Sequence, residues 1–172
     1  MQNSPLRIGI AGIGRMGRHH ATNLAQRVQG VELVAGCSPL TDELAWARDT
    51  LGVAHGYTEY AQLLAHPGLD AVFLVTPTTL HADQIIAALE AGLHVFSEKP
   101  LALGLDDCLR VEKEAARHPK LTAMIGYVRR FDPSYRDAAD KIRAGAIGRP
   151  FLARSQTTDK NDPSGFFVRF AP

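Results

Sequence analysis

The stretch LRIGIAGIGRMG, residues 6–17, decides the fold of this protein. Its first six residues are a short and largely apolar run, which is typical of a strand buried on both faces. Three glycines follow in the spacing G-x-G-x-x-G, and apolar side chains then recur at helical intervals over residues 15–28. A strand, a glycine loop and a helix in this order predict a loop that binds the pyrophosphate of a dinucleotide.

Each glycine of the loop has its own role in such a motif. Gly12 permits the tight turn, Gly14 lets the backbone approach the pyrophosphate, and Gly17 brings the helix close to the strand. Free N–H groups at the start of the helix then face the anion, and the helix dipole adds to their attraction. We therefore predict that the whole loop binds the cofactor: Gly12, Ile13, Gly14, Arg15, Met16 and Gly17.

The alternation of strand and helix continues along the chain. Apolar runs predict further strands at 31–36, 53–55, 71–75, 94–97 and 121–125. Amphipathic stretches predict helices at 42–51, with Thr41 as its N-cap, and at 59–64, 80–91 and 106–118. Elements of these lengths in this order predict an α/β fold, a Rossmann-type doubly wound parallel sheet with helices on both faces.

The pattern changes near residue 126. A helix at 133–144 and a strand at 149–158 are predicted there, and no further strand–helix–strand unit follows. We therefore divide the chain into an NAD(P)-binding Rossmann domain, 1–126, and the beginning of a second, α+β domain, 127–172.

Composition restricts the possible partners. Nineteen Lys and Arg are scattered among eighteen Asp and Glu, giving a net charge of +1, so no basic surface for nucleic acid is predicted. Cys37 and Cys108 lie far apart and match no zinc pattern, which favours a reduced, cytoplasmic protein without a metal site. The apolar run at the N-terminus is too short to cross a membrane, so no membrane partner is expected.

The end of the second predicted strand leaves the choice of cofactor open. An NAD enzyme usually has Asp or Glu there, which accepts a hydrogen bond from the ribose 2′-hydroxyl. Here Ser38 follows the strand, and a serine can bind either that hydroxyl or a 2′-phosphate. We therefore predict that Ser38 contacts the cofactor and that NADP binds within about tenfold of NAD.

Three further motifs follow predicted strands: TPTTLH at 76–81, EKP at 98–100 and RRFDP at 129–133. Ligands bind at the carboxyl ends of strands in such folds. Together with the glycine loop, and in this order and spacing, these motifs resemble the Gfo/Idh/MocA family, which includes inositol 2-dehydrogenases and glucose–fructose oxidoreductases. The resemblance covers essentially the whole chain.

The resemblance implies an NAD(P)-dependent oxidoreductase that oxidises a hydroxyl of a sugar, polyol or related compound. It implies that Thr76 and Pro77 line the nicotinamide side of the cleft, with His81 in the first helical turn after them. Glu98 and Lys99 are further cofactor-binding candidates. Lys99 is also the implied catalytic residue, which contacts the reacting hydroxyl, and Arg129 is an implied substrate contact.

The chemistry of lysine suits that position. Side chains alternate along a strand, so Lys99 and Glu98 are expected on opposite sides, which keeps the ammonium away from the neighbouring carboxylate. The ammonium can orient the hydroxyl and stabilise the alkoxide that gives up hydride. The family resemblance also predicts a cis peptide at Lys99-Pro100.

The resemblance also implies parts that residues 127–172 do not contain. Family members carry an Asp followed four residues later by the His that acts as general acid or base, in a large, mostly antiparallel sheet. Residues 159–172 contain no histidine, so the chain is expected to be incomplete for catalysis, with Asp159 kept as a substrate-binding candidate. Family members commonly associate through the open face of that sheet, so a homo-oligomer is expected at full length.

Two other functions within the same family stay open at this point. One is a non-catalytic, dinucleotide-binding regulatory module, and the other is an NAD-using glycoside hydrolase in which hydride leaves and returns. The intact EKP motif favours the dehydrogenase and the hydrolase, because a binding module has no need of Lys99. Fold alone does not separate these functions.

Overall fold

The computed structural model describes residues 4–156. Its strands and helices alternate along the chain from the first strand. The strands are β1 (Leu6–Ala11), β2 (Val31–Cys37), β3 (His55–Tyr57), β4 (Ala71–Leu74), β5 (His94–Ser97) and β6 (Ala123–Ile125). The helices are α1 (Arg15–Gln26), α2 (Thr41–Leu51), α3 (Tyr60–Leu64), α4 (Thr78–Glu90), α5 (Leu105–Arg117) and α6 (Pro133–Arg143), with a 3₁₀ turn at Val128–Arg130 before α6.

All six strands pair in parallel in the order β3-β2-β1-β4-β5-β6. This is the strand order of a dinucleotide-binding Rossmann sheet, so the predicted fold class is confirmed. The order reverses between β1 and β4, and ligands bind in the crevice at such a switch point. The glycine loop follows β1 and the TPTTLH motif follows β4, so these two motifs flank the crevice.

Two apolar layers hold the sheet between its helices. On one side Leu74, Ile85 and Leu89 are fully buried, which packs α4 against the sheet. On the other side Ile10 and Ile13 are fully buried with Ala21 of α1. The central strands are thus covered on both faces, which explains why they are near-continuous apolar runs rather than alternating ones.

Most predicted boundaries differ from the observed ones by one to three residues, and the N-cap of α2 is a correction. Thr41 is the first residue of α2, and the N-cap is Leu40, whose side chain makes no cap hydrogen bond. The backbone N–H of Leu40 instead donates to the hydroxyl of Ser38, at 3.1 Å. A cap prediction from residue type missed this because the capping oxygen comes from outside the helix.

The chain divides into two units, 1–127 and 128–172. In the second unit Asp132 is the N-cap of α6, and its carboxylate accepts from the backbone N–H of Ser134, at 2.9 Å. The strand predicted at 149–158 is wrong over the described part of that range, since residues 149–156 are irregular. A strand needs a neighbour for its backbone hydrogen bonds, and Phe151 there is 97% exposed.

No helix within residues 4–156 is long and apolar enough to span a lipid bilayer.

Candidate dinucleotide and catalytic site

Two glycines of the loop are required by the protein itself. Gly12 has φ +87°, and a Cβ there would overlap the carbonyl of Val75 at the end of β4. A Cβ at Gly17 would overlap the carbonyl oxygen of Gly12. Gly12 therefore permits the left-handed turn, and Gly17 permits the close packing of α1 on the loop, as the spacing predicted.

Gly14 is different, because the protein does not need it to be a glycine. Its φ is −71°, and within 4 Å an added Cβ would meet a single protein atom, Glu43 Oε1 at 3.7 Å. The missing side chain therefore leaves open space in front of the backbone. That space fits a pyrophosphate, since backbone N–H groups at the start of a helix bind anions.

The first turn of α1 supports the same use. It contains no acidic residue, whereas the first turns of α2 and α5 each contain two. Within the described residues no side chain of the N-cap residue bonds the start of α1, which leaves its first N–H groups for a ligand. Of the other predicted loop residues, Arg15 and Met16 are exposed. Ile13 is a correction in part: its side chain is buried in the core, so only its main chain is available to a cofactor.

The other wall of the crevice begins at the end of β4. Pro77 is exposed and is the N-cap of α4. The hydroxyl of Thr76 donates to the side-chain oxygen of Gln84, one turn and a half into α4, at 2.6 Å. The carboxyl end of β4 is thus fixed to α4 beside the crevice, where the family resemblance implies the nicotinamide.

His81 does not line the crevice, which corrects its prediction as a cofactor contact. The side chain is 1% exposed. Its Nδ1 lies 2.7 Å from the carbonyl oxygen of Pro100, and its Nε2 lies 2.9 Å from that of Thr76. The imidazole therefore connects the loop after β5 to the loop after β4, and its role is to position them.

The EKP motif follows β5 at the same edge of the sheet. Its Lys99-Pro100 peptide is cis, as the resemblance predicted. Glu98 Oε1 lies 2.8 Å from His20 Nε2 on α1, and Oε2 accepts from the backbone N–H of Lys99 at 3.1 Å. The carboxylate therefore ties the loop after β5 to the helix that follows the glycine loop.

The side chain of Lys99 is the chemically reactive part of this motif. Lys99 is exposed, and within residues 4–156 its side chain forms no ion pair. The carboxylate of Glu98 thus holds the backbone of Lys99, and the prediction that the two side chains lie on opposite sides stays a prediction.

Cys37, at the end of β2, is not a nucleophile candidate. Burial, with a smaller contribution from the charge of Glu59, raises the pKa of its thiol to about 11. The thiolate is the reactive form of cysteine, so Cys37 stays protonated and inert near neutral pH.

Ser38 is buried rather than open to a cofactor, which corrects the expectation for its side chain. It is 1% exposed. Its hydroxyl donates to Glu43 Oε2 at 2.5 Å and accepts from the backbone N–H of Leu40. The single hydroxyl proton is therefore already used within the protein.

The second unit holds Arg129. Its guanidinium lies 3.4 Å from the carboxylate of Asp132 and 5.0 Å from the ring centroid of Tyr135. These contacts orient the side chain within its own unit, and it remains exposed. Asp159, the other substrate-binding candidate, lies outside the described residues.

Sequence reasoning missed three side chains that shape the site: His20, Glu43 and Gln84. Each lies on a helix, and each contacts the end of a strand or the loop that follows it. His20 and Glu98 are separated by 78 positions in the sequence, so no local pattern could pair them. The sequence offered one signal for His20, namely a polar residue on the side of α1 that faces the sheet.

Residues 6–127 match an oxidoreductase family with an NAD-binding Rossmann fold, GFO_IDH_MocA. The chain belongs to this family. The match begins at β1 and ends just after β6, so it covers the whole sheet described above. This confirms the family resemblance and the prediction that this domain binds a nicotinamide dinucleotide; of the two predicted cofactors, NAD or NADP, the family description names NAD.

Several relatives are dehydrogenases. The chain is 37% identical over 164 residues to the scyllo-inositol 2-dehydrogenase (NAD(+)) of Bacillus subtilis, which covers 95% of this chain and 48% of that protein. It is 38% identical over 142 residues to a 4-carboxy-2-hydroxymuconate-6-semialdehyde dehydrogenase of Sphingobium, covering 83% of this chain and 44% of that one.

A solved structure gives the same fold. The scyllo-inositol dehydrogenase of Lactobacillus casei, with bound NAD(H) and scyllo-inositol, superimposes with a TM-score of 0.81 at 42% identity. The match covers 84% of this chain and 42% of that one. The chain thus spans about half the length of the relatives it matches.

Proposed function

We propose that this chain is the cofactor-binding part of an NAD-dependent dehydrogenase that oxidises a hydroxyl of an inositol-like polyol or a sugar. One observation carries the proposal: the open space at Gly14 and the side chain of Lys99, which forms no ion pair within residues 4–156, follow strand ends at the same edge of one sheet. The inositol dehydrogenases among the relatives support the polyol as substrate class.

The residues of the site have separate roles in the proposed reaction. The backbone of the glycine loop holds the pyrophosphate, and the β4 loop, fixed by Thr76 and His81, forms the opposite wall. When bound, NAD supplies the hydride acceptor. Lys99 would hold the substrate hydroxyl and stabilise negative charge on its oxygen, while the hydroxyl proton passes to a general base, the role that the family resemblance gives to a histidine. Glu98 keeps the lysine backbone in place.

We also propose that residues 128–172 begin the substrate and oligomerisation domain and that Arg129 contacts the substrate. We propose a cytoplasmic location for the protein. The 172-residue chain is then expected to bind dinucleotide but to oxidise no alcohol at a meaningful rate. A general acid or base contributes about 10²- to 10⁴-fold, and the family's Asp-x-x-x-His pair belongs to the part of its relatives that this chain does not span.

The test uses the 172-residue chain with the Bacillus subtilis relative as the active control. Calorimetric titration with NADH is expected to show saturable binding. Formation of NADH from NAD⁺ with myo-inositol, scyllo-inositol and glucose is expected to be negligible for the chain. Absence of NADH binding would overturn the proposal as a whole, whereas turnover at the control's rate would overturn only the need for further residues.

A further inference from the structure

We propose that Glu43 on α2 is the carboxylate that selects NAD against NADP. This inference rests on the proposed dinucleotide site and assigns its ribose contact to a residue outside the motifs. It also replaces the expectation that Ser38 leaves the choice of cofactor open.

The position of Glu43 comes from two contacts. Its Oε2 accepts the hydroxyl proton of Ser38, at 2.5 Å, directly after the end of β2. Its Oε1 lies 3.7 Å from the point where a Cβ on Gly14 would stand. The carboxylate is therefore hydrogen-bonded to the end of β2 and lies close to the space in front of the second glycine of the loop.

That position is where the adenosine ribose is bound in a Rossmann domain. The acidic residue of an NAD enzyme normally stands at the end of β2, and the second glycine stands against the pyrophosphate. Ser38 at the end of β2 is buried, so it cannot reach a ribose, but it holds a carboxylate that can.

Ser38 is itself firmly placed. Its backbone N–H donates to the carbonyl of Tyr57 on β3, at 3.0 Å, and its hydroxyl accepts from Leu40. The hydroxyl thus accepts one hydrogen bond and donates its single proton to Glu43. The O–H···O distance of 2.5 Å is as short as the bonds that carboxylates accept from hydroxyl groups.

The second oxygen of Glu43 is the one available to a ligand. Glu43 is partly exposed, and within the described residues Oε1 makes no hydrogen bond. A carboxylate accepts a ribose hydroxyl but repels a 2′-phosphate, because both carry negative charge. The chain should therefore bind NADH at least about tenfold more tightly than NADPH.

The test measures dissociation constants for NADH and NADPH on the 172-residue chain and on two variants. Glu43→Gln removes the charge but keeps an amide oxygen that accepts from Ser38, so the local structure should persist. The ratio of its dissociation constant for NADPH to that for NADH is expected to fall at least about fivefold from the wild-type value. Asp42→Asn removes the same charge from the neighbouring, exposed position on α2, and its ratio should stay at the wild-type value.

Each result has a definite reading. NADPH binding to the wild-type chain within about threefold of NADH would overturn the inference, and this measurement decides even if the Glu43 variant fails to fold. An unchanged ratio in Glu43→Gln, or an equal change in Asp42→Asn, would overturn it too. In each of these cases dinucleotide binding itself would stand, whereas a wild-type chain that binds neither dinucleotide would overturn both proposals.

Discussion

Gly14→Ala should weaken dinucleotide binding while leaving the fold intact. The protein offers room for the new methyl group, whose nearest neighbour would be Glu43 Oε1 at 3.7 Å, and a φ of −71° is comfortable for alanine. Replacing glycine at a compatible position stabilises a protein by about 0.4–1 kcal/mol, through the lower entropy of the unfolded chain. Glycine is the better residue at an N-cap, which offsets this gain, so the unfolding temperature of the free chain should stay close to that of the wild type.

Binding, by contrast, should weaken. The methyl group would occupy the space in which a pyrophosphate oxygen meets the loop backbone, so at least one hydrogen bond to a charged group is lost. Such bonds contribute about 1.5–3 kcal/mol, which corresponds to an increase of about 10- to 100-fold in the dissociation constant for NADH. Calorimetric titration of the variant and the wild type measures this directly.

Gly104→Ala is the matched control. Gly104 is likewise an N-cap glycine with negative φ, at the start of α5, and an added Cβ there would meet nothing within 4 Å. Its NADH affinity should equal that of the wild type. If Gly14→Ala binds NADH as tightly as this control, the backbone at Gly14 does not touch the pyrophosphate and the proposed orientation of the cofactor is refuted.

Four further predictions concern residues around the site and the core. Gly17→Ala should lower the unfolding temperature markedly, because its Cβ would overlap the preceding turn, and a normal melting curve would contradict that packing. His81→Leu should cost about 1–3 kcal/mol in the free energy of unfolding by denaturant, since the hydrogen bonding of the buried imidazole to the carbonyl oxygens of Thr76 and Pro100 is lost, and a neutral effect would count against its positioning role. Cys37 should react with iodoacetamide at pH 8 far more slowly than Cys108 by mass spectrometry, because its thiol has a pKa of about 11; equal rates would argue against its burial. Burial, and to a smaller extent the charges of neighbouring groups, lowers the pKa of His66 from 6.5. The stability that His66 contributes is therefore present above pH 6.5 and is lost as the pH falls through the lowered value. The His66→Gln variant should lose less stability than the wild type between about pH 7 and pH 5, and equal losses would refute this.

The sequence by itself determined the succession of elements and the glycine loop. The bounds of β1 and β5 agree with their predictions, and the parallel pairing of the strands followed from the alternation of strands and helices. The roles of Gly12 and Gly17 could also be predicted, because a left-handed turn and a close helix contact are local requirements of the backbone.

Tertiary structure decided which polar side chains reach the site. Ser38 and His81 come after strands that end at the site, but both side chains are buried. The carboxylate of Glu43 on α2 lies near Gly14 of the glycine loop. Hydrogen-bond partners and burial depend on segments far apart in the chain, which no local pattern records. The strand predicted at 149–158 failed over its described part for the same reason, since a strand exists only where a neighbouring strand completes its backbone hydrogen bonds.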